Sequence, residues 1–121
     1  IEFAKKEKSD KEELFVADCH GVLAGCIMLC QTDVPAVGQL RLFAVEKAYR
    51  RYGIGSALTD VCMKKAKEAG YKKIILWTAS PLTDAIRHYK KLGFKTVESV
   101  KNTTWNLDGT SLDEIKMELI L

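Results

Sequence analysis

The feature that most constrains the fold is a junction near the middle of the chain, where a strand-like run meets a helix-like run. The strand-like run is QLRLFAV, whose alternation puts four side chains on one face: Gln39, Arg41, Phe43 and Val45. From Ile54 to Gly70, apolar residues recur at the spacing of one face of an α-helix. Glycine lowers helix stability by about 1 kcal/mol relative to alanine. We therefore expect Gly53 and Gly55, at the start of this helix, to have a role that offsets this loss of helix stability.

The remaining segments alternate strand and helix patterns around this junction. The charged run KKEKSDKEE predicts a solvated loop or a helix end, and two apolar runs around a turn at residues 18–21 predict a hairpin. KKIILWTA predicts a buried strand with Trp77 in the core, and a second helix is expected from about Pro81 to Gly93. KTVESV and IKMELIL predict two final strands. This order predicts a mixed α/β sheet with at least one parallel pair.

Length and composition narrow the class of protein. A chain of 121 residues fits one domain, and no run approaches the apolar length of a membrane helix. We therefore expect a single domain over residues 1–121 in a cytoplasmic protein. The net charge of +3 is scattered, so neither nucleic acid nor a membrane is expected as a partner. The four cysteines form no Cys-x-x-Cys pair, which favours reduced thiols and no metal.

The glycine-containing junction is suited to an anion. The first amides of a helix point outward without partners, and the helix dipole adds partial positive charge there. A pyrophosphate accepts such donors where side chains do not crowd its approach, and two glycines would remove those side chains. The spacing Arg50-x-x-Gly53-x-Gly55 is neither the Rossmann fingerprint nor a P-loop. A simple glycine-rich turn is the alternative.

Two segments together resemble a known family. VEKAYRRYGIGSAL is similar to the acetyl-CoA signature of the GNAT (GCN5-related) N-acetyltransferases, Arg/Gln-x-x-Gly-x-Gly/Ala at a strand-to-helix junction. DAIRHYKKLGF, residues 84–94, resembles the second CoA-side helix of that family. The resemblance implies a mixed, mostly antiparallel central sheet with flanking helices and a parallel pair splayed at the acetyl-CoA site. The family normally has one more strand and two helices before residue 14, so an N-terminally incomplete GNAT domain is expected.

The resemblance also implies a site, residue by residue. Backbone amides would hold the CoA pyrophosphate, and they belong to Arg51, Tyr52, Gly53, Gly55 and Ser56. The side chains of Arg50 and Arg51 would add positive charge. The strand end Phe43, Ala44 and Val45 would pair with the pantetheine arm, and an amide there would stabilise the oxyanion. Tyr89 would contact the cofactor and protonate the departing CoA thiolate. Since Tyr89 also lies on the apolar helix face, a core role stays open.

The expected chemistry is acetyl transfer from acetyl-CoA, as co-substrate, to an amine by direct attack in a ternary complex. Many relatives carry a glutamate base where this chain has Gln39, and glutamine cannot act as a base. Glu46, Asp108 and a relayed water remain open for that role. The acceptor would be a small-molecule or protein amine, and a homodimer is compatible with the family. The alternative is a non-catalytic acyl-CoA-binding sensory or regulatory module.

Overall fold

The computed structural model describes residues 2–8, 11–50, 52–102 and 112–121, and the chain divides into two compact units. One unit runs to Lys72 and includes Leu121, and the other is Lys73–Ile120. The strands are β1 (Glu2–Lys8), β2 (Glu13–Cys19), β3 (Val22–Gln31), β4 (Val37–Val45), β5 (Lys73–Ala79), β6 (Lys95–Asn102) and β7 (Leu112–Ile120). The helices are α1 (Ile54–Glu68) and α2 (Thr83–Leu92), with a 3-10 turn at Lys47–Tyr49.

The first unit is an antiparallel run of strands with α1 packed on one face. β1 pairs with β2, β2 with β3, and β3 with β4. The hairpin expected at residues 18–21 is confirmed, because β2 and β3 are joined by His20 and Gly21 with φ of 51° and 85°. Two positive φ values in a row suit the tight turns that match strand twist. The expectation of a loop or helix end over the whole charged run is wrong, since β1 includes its residues 5–8 and β2 begins at Glu13.

The core of this unit lies between β2, β3, β4 and α1. Its fully or almost fully buried apolar residues are Phe15, Ala17, Ile27, Leu29, Leu40, Ile54, Leu58, Cys62 and Ala66. α1 contributes a stripe at four-residue spacing, as the sequence predicts. It ends at Glu68 with Ala69 as the C-cap residue, and Gly70 follows with φ of 88°, the left-handed conformation that commonly terminates a helix.

β4 contains a bulge. Cys26 pairs with Ala44, whereas Met28 pairs with Arg41, so β4 has one residue more than β3 in this interval. Leu42 lies in the bulge with φ of 56°, a conformation that costs a residue with a side chain about 1–2 kcal/mol. A bulge of this kind bends the strand and redirects the side chains that follow it.

The bulge corrects the predicted face of β4. Four alternate residues share a face only when no residue is inserted between them, because a slip of one residue moves every later side chain to the other face. Phe43 and Val45 face α1, since a Cβ built on Gly55 of that helix lies 3.3 Å from Phe43 Cζ and 3.6 Å from Val45 Cγ2. Gln39 and Arg41 precede the bulge and lie on the opposite face.

The second unit is a three-stranded antiparallel sheet with α2. β7 pairs with both β5 and β6. Ile74, Leu76 and Met117 are buried on one face. Trp77 points to the other face and is 45 % exposed, so its predicted core position is wrong. The pairing of Trp77 with Lys116 shows why: this face carries charged neighbours rather than a second apolar layer.

The predicted fold class is confirmed: a mixed α/β protein with mostly antiparallel strands and flanking helices. The expected splay of a parallel pair stays a prediction, as does the single domain over residues 1–121. Within the described residues, neither helix combines the length and the apolar composition needed to cross a membrane.

Candidate functional site

The start of α1 is built around a left-handed glycine. Gly53 is the N-cap residue, with φ of 75° and ψ of 11°. A side chain on Gly53 would meet no atom within 4 Å, so space alone does not require glycine there. The positive φ does, because it brings a Cβ too close to the following carbonyl oxygen.

The first turn of α1 presents its amides without competition from neighbouring side chains. The helical hydrogen bonds begin with the Ala57 amide, which donates to the Gly53 carbonyl at 3.0 Å. The amides of Ile54, Gly55 and Ser56 precede that bond and therefore have no acceptor within the helix. Gly53 supplies no capping side chain, and the first turn contains no acidic residue. This end of the helix can therefore accept an anion from outside.

Gly55 has a different role from the one the sequence predicts. Its missing side chain leaves room for Phe43 and Val45, at 3.3 Å and 3.6 Å from the ideal Cβ position, and not for a phosphate. Glycine thus lets α1 approach the end of β4 closely, while the Gly55 backbone amide remains in the first turn. Thr59, fully buried one turn later, donates to the carbonyl oxygens of Gly55 and Ser56 at 2.9 Å each. The hydrophobic periodicity of the sequence alone does not predict these two hydrogen bonds to the first turn.

Arg50 links the end of β4 to the turn before α1. Its side-chain Nε donates to the Val45 carbonyl oxygen at 3.1 Å, and the guanidinium is exposed. The guanidinium has five N–H donors, so this bond uses one and leaves its charge at the surface. Tyr52 and Ser56 are also exposed. Arg51, expected to take part, lies outside the described residues.

The direction of the amides at the end of β4 follows from one hydrogen bond. The Glu46 amide donates to the Ala24 carbonyl oxygen of β3 at 2.7 Å. Backbone groups of successive strand residues point to opposite edges, so the Val45 amide and carbonyl point away from β3. The bond from Arg50 to the Val45 carbonyl agrees with that direction. The described residues from Phe43 to Ser56 therefore comprise a strand end, a turn and a helix start, all within the first unit.

Tyr89 lies in the second unit, on α2. It is 7 % exposed, and its ring meets Phe94 edge-on with 5.8 Å between the ring centroids. Burial raises the pKa of Tyr89 to about 12, so the phenol keeps its proton at neutral pH. The burial agrees with a core role, and the catalytic role stays a prediction.

The residues considered for the role of general base differ in their exposure to solvent. Gln39 is half-buried beside Cys30 on the face opposite Phe43, and Glu46 is exposed at the end of β4. Asp108 lies outside the described residues. All four cysteines are free thiols. Burial raises the pKa of Cys62 to about 12, which keeps that thiol protonated and unreactive.

In a mixed α/β fold, a helix start with unpartnered amides beside a strand end is an arrangement suited to a phosphate-bearing ligand. The chain belongs to the acetyltransferase (GNAT) family, whose family model matches residues 1–94, and the predicted resemblance is thereby confirmed. It is 32 % identical to the N-alpha-acetyltransferase of Sulfurisphaera tokodaii, over 83 % of this chain and 66 % of that protein. Overall, the chain spans about half the length of the curated relatives it matches.

Solved structures share this fold. A GNAT acetyltransferase from Streptococcus pneumoniae superposes with a TM-score of 0.84 at 24 % identity, over 93 % of this chain and 69 % of that one. A GNAT acetyltransferase from Elizabethkingia anophelis, solved with acetyl-CoA bound, has a TM-score of 0.77 at 26 % identity. That match covers 92 % of this chain and 77 % of that one. The shared fold is therefore one on which acetyl-CoA is bound by another member of the family.

Proposed function

We propose that this domain transfers the acetyl group of acetyl-CoA to an amine by direct attack in a ternary complex. The observation that carries the proposal is the glycine-capped first turn of α1, held against the end of β4. Family membership and the names of relatives, including N-acetyltransferase 8 of mouse, support an N-acetyltransferase. The acetyl-CoA in the Elizabethkingia structure supports that co-substrate.

In this proposal the first unit holds the cofactor. The CoA pyrophosphate accepts from the amides of the first turn of α1, where the dipole favours negative charge and the turn itself has no acidic residue. The exposed Arg50 guanidinium adds positive charge beside the same turn. The pantetheine arm runs along the end of β4, from Phe43 through Ala44 to Val45.

The reaction forms one C–N bond and breaks one C–S bond. A neutral amine attacks the thioester carbonyl, since an ammonium group has no lone pair to donate. The Val45 amide, which points away from β3, donates to the oxygen that becomes negative. Gln39 cannot accept the amine proton, so that proton leaves to water, to the exposed Glu46 carboxylate or to Asp108.

By resemblance to the family, the Tyr89 hydroxyl interacts with the sulfur of the leaving CoA. With a pKa of about 12, its hydroxyl is a hydrogen-bond donor throughout the neutral range. Full proton transfer from such a phenol to a thiolate of pKa about 8.5 is unfavourable. Tyr89 therefore acts mainly by stabilising the departing thiolate through a hydrogen bond that strengthens in the transition state.

The acceptor is proposed to be a small-molecule or protein amine, and a homodimer is proposed as the assembly. Calorimetry with CoA, followed by thiol release from acetyl-CoA over a panel of polyamines, aminoglycosides, amino acids and peptides, tests the function. We expect saturable CoA binding and release of free thiol with at least one amine class. Binding without turnover would favour the acyl-CoA-binding regulatory module, and absence of CoA binding would contradict both functions.

A further inference from the structure

The bulge in β4 decides which amides of this strand point away from β3. Before it, Arg41 pairs with Met28, and after it, Ala44 pairs with Cys26. Without the extra residue, Cys26 would pair with the residue before Ala44, and every later amide would turn to the opposite edge. The Val45 amide would then point toward β3. The bulge is therefore a condition for the strand end that the proposed function uses.

The bulge is held in an unfavourable conformation. Leu42 has φ of 56° although it is not glycine, and its side chain is 64 % exposed. Both features are unfavourable, since a Cβ crowds the backbone at positive φ and an exposed leucine gains nothing from burial. Backbone strain of this kind persists only where surrounding contacts hold it.

One side chain makes such a contact. The Cys26 thiol donates to the carbonyl oxygen of Leu42, with 3.1 Å between Sγ and oxygen. Cys26 lies on β3 at the point where the register shifts, and it is half-buried. A thiol is a weak donor, but this separation is short for sulfur, and the acceptor belongs to the strained residue itself.

We propose that Cys26 is a positioning residue, whose thiol holds the β4 bulge and thereby directs the Val45 amide along the pantetheine arm. The inference rests on the proposed function, because the positioning role of Cys26 is defined by its effect on bound CoA. Cys26 itself touches no reacting atom.

Binding of two ligands by the full chain isolates this role from the choice of acceptor. CoA contains the pantetheine arm, and 3′-phospho-ADP carries the same phosphates without it. The affinity for CoA divided by the affinity for 3′-phospho-ADP, both measured by calorimetry, therefore reports the contacts of the pantetheine arm along β4. We expect Cys26→Ala to lower this ratio about three- to tenfold, the effect of one modest hydrogen bond. The affinity for 3′-phospho-ADP should stay within twofold, since the first turn of α1 is unchanged.

Two further variants separate positioning from general stability. Cys26→Ser retains a donor and should restore most of the ratio. Cys30→Ala removes a buried thiol from the same strand and face, next to Gln39 instead of the bulge, and should leave the ratio unchanged. A parental ratio in Cys26→Ala, or an equal loss in Cys30→Ala, would overturn the proposal. Absence of CoA binding by the parent protein would overturn the proposed function together with the role of Cys26. CoA binding by the parent with an unchanged ratio in Cys26→Ala would overturn the role of Cys26 alone.

Discussion

The two glycines at the start of α1 differ in what a side chain would meet there. Gly53 faces open space at φ of 75°, whereas Gly55 faces the side chains of β4 at negative φ. We expect Gly53→Ala to lower the free energy of unfolding by about 1–2 kcal/mol through backbone strain. It should also weaken CoA binding, because relaxing φ at the N-cap turns the first-turn amides.

Gly21 supplies a matched control for that substitution. It has φ of 85°, and a side chain there would also meet nothing within 4 Å, but it lies in the hairpin between β2 and β3. Gly21→Ala should therefore lose similar stability and keep the parental CoA affinity. Urea unfolding and calorimetry on both variants give the comparison. Equal CoA affinities in the two variants would show that the Gly53 conformation does not serve the ligand.

Tyr89→Phe tests the hydroxyl while keeping the buried ring. The ring packs edge-on against Phe94, and phenylalanine preserves that contact. We expect the single-turnover rate of acetyl transfer to fall about 10- to 100-fold, less than the roughly 10²- to 10⁴-fold of general acid catalysis because the phenol keeps its proton, with CoA affinity within about threefold. Single-turnover conditions avoid masking by product release. A rate within twofold of the parent would assign Tyr89 to the core alone.

At the level of elements, periodicity predicted the helices and the hairpin but not the geometry of β4. The stripe of α1 and the stops at Gly70 and Gly93 depend on local spacing and on positive φ, both of which leave sequence signals. The bulge at Leu42 leaves none, because leucine is an ordinary strand residue and the thiol that contacts its carbonyl oxygen lies on another strand. The anion site at the first turn of α1 stays a prediction, whereas the contacts of Gly55 required knowledge of how α1 meets β4.

The packing of α1 on β2 includes a buried ion pair. Glu13 is fully buried, and its Oε1 lies 3.5 Å from Lys65 Nζ. Removing the cation leaves a buried carboxylate without that charge, which typically costs 3–5 kcal/mol. We expect Lys65→Met to lower the free energy of unfolding by about that amount and Glu13→Leu with Lys65→Met to recover most of it. Urea unfolding measures both, and a double variant no more stable than Lys65→Met would contradict the argument.

For the whole molecule, several buried acids make the free energy of unfolding fall at alkaline pH, and two of them have large pKa shifts. Burial raises the pKa of Tyr89 from 10.0 to about 12 and that of Cys62 from 9.0 to about 12. Both groups are neutral when protonated, so the folded chain keeps these protons at pH values where the unfolded chain releases them. Their stabilisation is therefore complete below pH 9 and is lost as the pH rises toward 12.

Urea unfolding between pH 8 and pH 11 should show this loss, with Tyr89 accounting for about 1 kcal/mol at pH 11. Tyr89→Phe removes the titrating hydroxyl and keeps the ring, so it should flatten the stability curve between pH 10 and pH 11 without changing its slope below pH 9. Cys62→Ala lowers stability at every pH by opening a small cavity, but its curve should be flatter from pH 9 upward. The contrast separates packing from proton linkage, since packing shifts a curve vertically and linkage changes its slope. A Tyr89→Phe curve parallel to the parental one up to pH 11 would mean that the phenol titrates alike in the folded and unfolded chains.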